Sequence, residues 1–336
     1  MLKNRKAYYL VYSLIFALVA FFGIYLFFLK DGLTVFKSWD TYDQQYMAFV
    51  RIGRWLRTII REGKIQVWSP SVGYGADIFI SLSPYITDPF NWLSVAIPSA
   101  WAETAFTAVL FLKTWLTGIT FSLLAFHRKN EPYAALCGAL SYAVSGTAFL
   151  CLYQSQFFMP MILFPLVIMG ADKLFDEGKP VLYVLTLAWS AFNSFYHTYM
   201  IAIIVAGYVL LRWLFQPKEA KTCKLFFRLI LSFFLYAVLA AGMAAVSLLP
   251  VAKTMTSMSR IGLRHEVPLF YPGSYYAEIL RGMLMTVPVG ADAYIGFSAI
   301  AVGCVFLLFV VRNKNLCRIK TELVLLLFVL CVPAFG

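Results

Sequence analysis

Charge is scarce in this sequence. Asp, Glu, Lys and Arg make up only 13% of its 336 residues, about half the share usual in soluble domains. Such a chain cannot cover a globular surface with polar groups, which excludes an ordinary soluble enzyme. Histidine is rarer still, with three residues, and no HExxH or Ser-His-Asp pattern is present. The six cysteines are scattered with no CxxC pair, so neither a disulfide framework nor a zinc site is expected. No internal repeat or low-complexity tract is visible. A glycine-rich phosphate loop is missing too: Gly73 and Gly75 flank Tyr74 in "VWSPSVGYGADIF" with the wrong spacing and no following lysine.

What fills the space is apolar: 61% of the residues are hydrophobic. Runs near 20 residues read as membrane spans. They cover 8–29, 102–126, 133–152, 157–174, 181–195, 198–215, 226–250, 293–311 and 323 to the end, about nine in all. The stretch 181–215 would be about 52 Å long as one helix, too long for a core of roughly 30 Å. "NSFYH" at 193–197 supplies a polar break, so two short helices are expected. The run 7–29 exceeds a signal core, and no small-residue cleavage site follows it before Lys30. The first span should therefore stay as an anchor. The expected fold is an all-α polytopic transmembrane helix bundle, a single membrane domain over 1–336.

The net charge of +12 does not point to nucleic acid. With the N-terminus in the cytoplasm, sixteen of the 28 Lys and Arg fall in short inner segments, and the short outer loops 150–158 and 193–197 carry none. This is the positive-inside pattern. Two long loops, 30–101 and 251–292, then face outward and hold most of the interesting polar residues. A transporter of inverted repeats would show two matching broken helices, and only the break at 193–197 is clear.

The first outer loop begins with "SWDTYDQQYMAF". Asp40, Asp43 and Gln44 share one helical face at i, i+3 and i+4. The helix expected over 44–62 is amphipathic. Arg51, Arg54, Arg57 and Arg61 lie on one side; Ala48, Ile52, Trp55, Leu56, Ile59 and Ile60 lie on the other. It reads as an interfacial helix on the bilayer. Its arginines anchor on lipid head groups, or Arg51 and Arg54 neutralise a lipid-linked phosphate. Asp40 and Asp43 are a catalytic pair or simply a helix start, where Ser38 or Asp40 would cap. Asp88, before Pro89, is a turn or cap residue or part of a site. Lys113 lies about 15 Å deep in a span by helical rise, where charge is costly and needs a partner, Asp40 or Asp88. One outward-facing cavity should then gather all three. His197 sits at the polar break, as a proton shuttle or a satisfied interfacial histidine. Arg260 and Arg264, with His265 and Glu266, form a charged cluster in the second outer loop, either a phosphate site or a solvated face.

"DxxxQ" at Asp40 and Gln44, "VWSPSVGYGAD" at 67–77, "YITDPFNWLS" at 85–94, "LKTWLTGITF" at 112–121 and "AYIGFSAIAV" at 293–302 resemble, in this order, the YfhO family of bacterial membrane proteins. The family belongs to the glycosyltransferase C-type superfamily, and its members are usually much longer. The resemblance implies the N-terminal part of a longer architecture in a bacterial cell membrane. It implies a membrane glycosyltransferase that moves a sugar from a polyprenyl-phosphate donor to an extracytoplasmic cell-envelope polymer such as teichoic acid, with a carboxylate of the first outer loop as base. Inverting transfer needs one carboxylate to deprotonate the acceptor hydroxyl while the lipid phosphate leaves. Asp40, about ten residues past the first span, fits that role. Asp43 would hold a divalent cation or orient the acceptor. Gln44, Asp88 and His197 would support sugar or acceptor, and Arg51, Arg54, Lys113, Arg260 and Arg264 would bind phosphate or lipid. Two rivals stay open: a lipid or polysaccharide transporter or flippase, and a non-catalytic accessory subunit.

Overall fold

The computed structural model describes residues 4–36, 40–70, 75–217, 221–256, 272–275 and 277. The expected spans 293–311 and 323 onward lie outside the described residues, as does nearly all of the expected loop 251–292, Arg260 and Arg264 included. Among the described residues, six helices are long and apolar enough to cross a membrane: Arg5–Lys30, Ser99–His127, Pro132–Tyr153, Ser155–Glu177, Phe195–Leu214 and Cys223–Met243. Val181–Asn193 is a shorter apolar helix.

The first crossing consists of α1 (Arg5–Ala20), a π-helical turn (Phe21–Tyr25) and α2 (Leu26–Lys30). Another π-helical turn, Thr41–Tyr46, leads into α3 (Met47–Glu62). A two-stranded antiparallel hairpin, β1 (Trp68–Ser69) with β2 (Ala76–Asp77), pairs Trp68 with Asp77. Then come α4 (Ile78–Ile86), the short α5 (Pro89–Trp92) and a 3₁₀ turn (Leu93–Ala96). The remaining helices are α6 (Ala102–His127), α7 (Pro132–Ala143), α8 (Gly146–Tyr153), α9 (Phe158–Glu177), α10 (Val181–Asn193), α11 (Phe195–Leu214), α12 (Cys223–Met243) and α13 (Ala245–Thr256).

The expected span 133–152 is two pieces. Val144 and Ser145 interrupt it, and the Ser145 hydroxyl caps α8 by accepting from the Ala148 amide at 3.2 Å. The expected break at 193–197 is sharp: α10 stops at Asn193, Ser194 is extended and α11 starts at Phe195. The expected span 226–250 also divides, with α12 ending at Met243 just after Gly242, a poor helix former.

Two compact units divide the chain. The first covers 1–198 and 237–254 and contains every site residue discussed below. Its centre is α9, flanked by α6 and α10, with α7 packed on α6. Lipid tails are as apolar as leucine, so close packing and hydrogen bonds hold such helices together rather than exclusion of water. Gly170 shows the closeness: a Cβ there would lie 2.6 Å from the backbone of Tyr183 on α10. The α1–α6 contact uses hydroxyls. Tyr8 Oη and Ser122 Oγ are 2.9 Å apart, and Tyr12 Oη donates to the Trp115 carbonyl at 2.9 Å. The second unit covers 199–236 and 255–336. In it, Trp213 packs on Phe226 with ring centres 4.6 Å apart.

The segment between the first two crossings folds back on the bundle. Phe36, Phe49, Phe106, Cys151, Leu152 and Phe158 share one buried cluster. The face of α3 read from sequence as lipid-facing is used largely on protein. Ala48 and Ile52 are buried with Tyr85 and pack with Leu56, Leu82 and Ile86. Trp55 stacks edge-on against Phe79 and donates its indole N–H to the Gln66 carbonyl at 3.0 Å. Only the end of the stripe is open, with Ile60 75% exposed. The amphipathic pattern was real; its partner is the α4 segment, which offers an apolar face of its own.

Candidate functional site

The π-helical turn Thr41–Tyr46 is pinned to the turn between α8 and α9. Thr41 and Gln45 point inward and are 1% exposed. The Thr41 hydroxyl donates to the Tyr153 carbonyl. Gln45 Nε2 donates to the same carbonyl at 3.3 Å and to Gln154 Oε1 at 2.7 Å, while Gln45 Oε1 accepts from the Ser155 amide. With these inward residues fixed, Tyr42, Asp43 and Gln44 face out.

Asp40 is half-buried at the head of this turn. Its backbone is already helical, and its side chain makes no cap bond, so Asp40 starts the helix without capping it. The carboxylate instead accepts from Gln44 Nε2 at 2.7 Å on Oδ1 and from Gln154 Nε2 at 2.6 Å on Oδ2.

Beside this turn lies a cleft of about 790 Å³ between α3 and α4. Asp43, Gln44, Arg51 and Arg54 line it, with Trp55 and Tyr85 among the aromatic walls. Asp40 does not line the cleft. It stands one hydrogen bond behind it, through Gln44. Its charge is nevertheless felt at the wall: burial first, and then the negative charge of Asp40, push the Tyr85 phenol up to about 12. The cleft therefore joins carboxylate, amide, guanidinium and aromatic surfaces, groups that can hydrogen-bond hydroxyls and pair with an anion.

Its walls are positioned by close contact. A Cβ on Gly53 would sit 2.7 Å from the Ser94 carbonyl oxygen, so glycine lets α3 approach the 3₁₀ turn. Arg57 crosses the same gap and donates to the carbonyls of Ser94 at 2.9 Å and Val95 at 3.0 Å. Arg57 thus ties α3 to the 3₁₀ turn.

Lys113 and Asp88 find each other rather than the cleft. The ammonium of Lys113 bonds Asp88 Oδ2, with the side chains 0% and 2% exposed. The other carboxylate oxygen caps α5 by accepting from the Phe90 amide at 3.0 Å. Of the three residues expected near one outward-facing cavity, Asp88 and Lys113 are brought together, and none of Asp40, Asp88 and Lys113 lines this cleft. At that depth, pairing with a carboxylate offsets the cost of desolvating the ammonium. His197 does not line the cleft either. Its Nδ1 lies 2.9 Å from Ser194 Oγ, and its ring packs on Phe157.

Among the described residues, no three His, Cys, Asp or Glu gather as a metal cage. A divalent cation in the cleft would rest on Asp43, with its other donors from water or a ligand phosphate, as Mg²⁺ accepts. Sequence reasoning missed Gln45, Gln154 and Tyr85. The signal for Gln154 was present: "YQSQ" places two glutamines between apolar runs, in a loop without Lys or Arg.

A family model described as "Bacterial membrane protein YfhO" matches residues 12–335. The chain is also similar to a curated relative, "Uncharacterized protein YfhO" from Bacillus subtilis (strain 168). The two are 28% identical over 169 residues, 45% of this chain and 20% of the relative. The matched part thus spans a fifth of that relative's length. No solved structure matches the chain.

Proposed function

The chain belongs to the YfhO family of bacterial membrane proteins, and from that premise we propose that this multi-pass membrane protein is a glycosyltransferase. It takes a sugar from a polyprenyl-phosphate donor and passes it to a hydroxyl of an extracytoplasmic cell-envelope polymer such as teichoic acid. The proposal places the N-terminus in the cytoplasm and the cleft on the outer side, where the donor's phosphate is within reach.

One observation carries this reading. A half-buried carboxylate, Asp40, is held by two neutral amides next to an open cleft that bears both a carboxylate and two arginines. In the proposed step Asp40 takes the proton of the acceptor hydroxyl. The acceptor oxygen bonds the anomeric carbon, and the bond from that carbon to the phosphate oxygen breaks, the phosphate leaving with the electron pair. Arg51 and Arg54 neutralise the departing phosphate, and Asp43 and Gln44 orient the acceptor or hold a cation. Transport is less well supported. The deep charge of Lys113 is locked on Asp88, whereas a transport path needs polar groups that a substrate can reach near the midplane.

The test is compositional. Deleting the gene should remove a glycosyl substituent from an envelope polymer, and the intact gene should restore it. An unchanged polymer would remove the reading.

A further inference from the structure

Asp40 accepts two hydrogen bonds of different kinds. Gln44 is four residues on in the same helical turn, so its bond fixes the carboxylate only against its own backbone. Gln154 stands 114 residues away, just past α8. Its bond fixes the carboxylate in the frame of the helix bundle.

The amide of Gln154 is itself oriented. Its Oε1 accepts from Gln45 Nε2 at 2.7 Å and from Gln156 Nε2 at 3.5 Å. Gln45 is in turn set by the Tyr153 carbonyl and the Ser155 amide. Turning the Gln154 amide over would put its oxygen against the carboxylate and its N–H groups against those of Gln45 and Gln156. All its bonds would be lost together, so the network has one direction. It starts on backbone groups of the α8–α9 turn, passes through Gln45 and Gln154, and ends on Asp40 Oδ2.

We propose that Gln154 is the positioning residue for Asp40. It holds the base in one orientation through neutral donors. An ionised carboxylate accepts at about four sites, so lone pairs remain for the proton of the acceptor. Gln154 touches neither sugar nor phosphate; it acts through Asp40. This inference rests on the reading of Asp40 as general base.

The test is a double-mutant cycle of Gln154→Met with Asp40→Asn, using the full chain in membrane vesicles. The probes are radiolabelled polyprenyl-phosphate glucose and polyprenyl-phosphate N-acetylglucosamine, in separate reactions, with label counted on envelope polymer. Sugar content of that polymer in a complemented deletion strain is a parallel readout. Gln154→Met should lower kcat about 10- to 10²-fold, the scale of a misplaced reacting group, with KM for the donor within about twofold. Gln154→Glu, which keeps the acceptor for Gln45 and sets a negative charge against Asp40, should do the same. In the Asp40→Asn background, Gln154→Met should change nothing further.

Wild-type rates in both Gln154 variants beside an inactive Asp40→Asn would overturn the inference and leave the transferase reading intact. An equal loss in both backgrounds, with a lowered melting temperature, would make Gln154 merely structural and overturn it too. A fully active Asp40→Asn, or a wild type that transfers neither sugar and restores none in the strain, would remove the underlying reading and the inference with it.

Discussion

Lys113→Met should strongly destabilise the first unit. The pair it breaks is enclosed, at 0% and 2% exposure, so neither solvent nor salt screens it. Removing the ammonium leaves the Asp88 carboxylate buried with only its bond from the Phe90 amide. Breaking one partner of such a pair costs about 3–5 kcal/mol, on the order of a 10 °C loss in melting temperature for a unit of this size. Asp88→Asn should cost less, because asparagine caps a helix as well as aspartate does and the lysine can shed its proton. The double variant Asp88→Asn/Lys113→Met removes both charges and keeps the cap. It should come within about 1 kcal/mol of wild type. Cys151, buried in the neighbouring cluster, is a built-in reporter. With the other cysteines replaced, a thiol-reactive dye follows its exposure on heating in detergent. A Lys113→Met protein that melts with wild type would refute the reasoning, as would a double variant whose loss equals the sum of the singles.

Other consequences are simpler to check. Gly53→Ala drives a methyl into the Ser94 carbonyl, so it should cost about 1–3 kcal/mol as overpacking, read by the same melt; an unshifted melt would mean that α3 and the 3₁₀ turn are not in contact. Arg57→Ala takes the guanidinium from both carbonyls, leaving Ser94 with only the Ile97 amide at 3.3 Å, and should cost about 1–3 kcal/mol, whereas Arg61→Ala, at an exposed position, should be near neutral; equal effects would remove the structural role of Arg57. A cysteine at exposed Lys64 should react with an impermeant maleimide on intact cells; labelling only after the inner face is opened would reverse the proposed orientation.

Much of the architecture was legible because the bilayer imposes it. Apolar length marks a crossing whatever its neighbours are, and the polar run 193–197 marked the α10–α11 break. Asp88 as a cap and Lys113 as a charge needing a partner were each visible from local sequence. That they were partners was one of two options, since pairing across 25 residues depends on how α5 lies over α6. The amphipathic period of α3 was equally clear, yet period alone cannot say whether lipid or protein covers the apolar face. The Gln45–Gln154 network was the least legible. Glutamines have no spacing rule, and the contact joins residues more than a hundred positions apart.

The most direct measurement is sugar transfer by an Asp40→Asn protein that is made, inserted and melts like wild type. Asparagine keeps the size and polarity of the side chain but cannot take the proton. If Asp40 is the base, transfer falls by about 10²-fold or more, the scale of general-base catalysis, while Asp43→Asn does less harm. Full transfer by Asp40→Asn would contradict it and pass the role to Asp43, the carboxylate that lines the cleft directly.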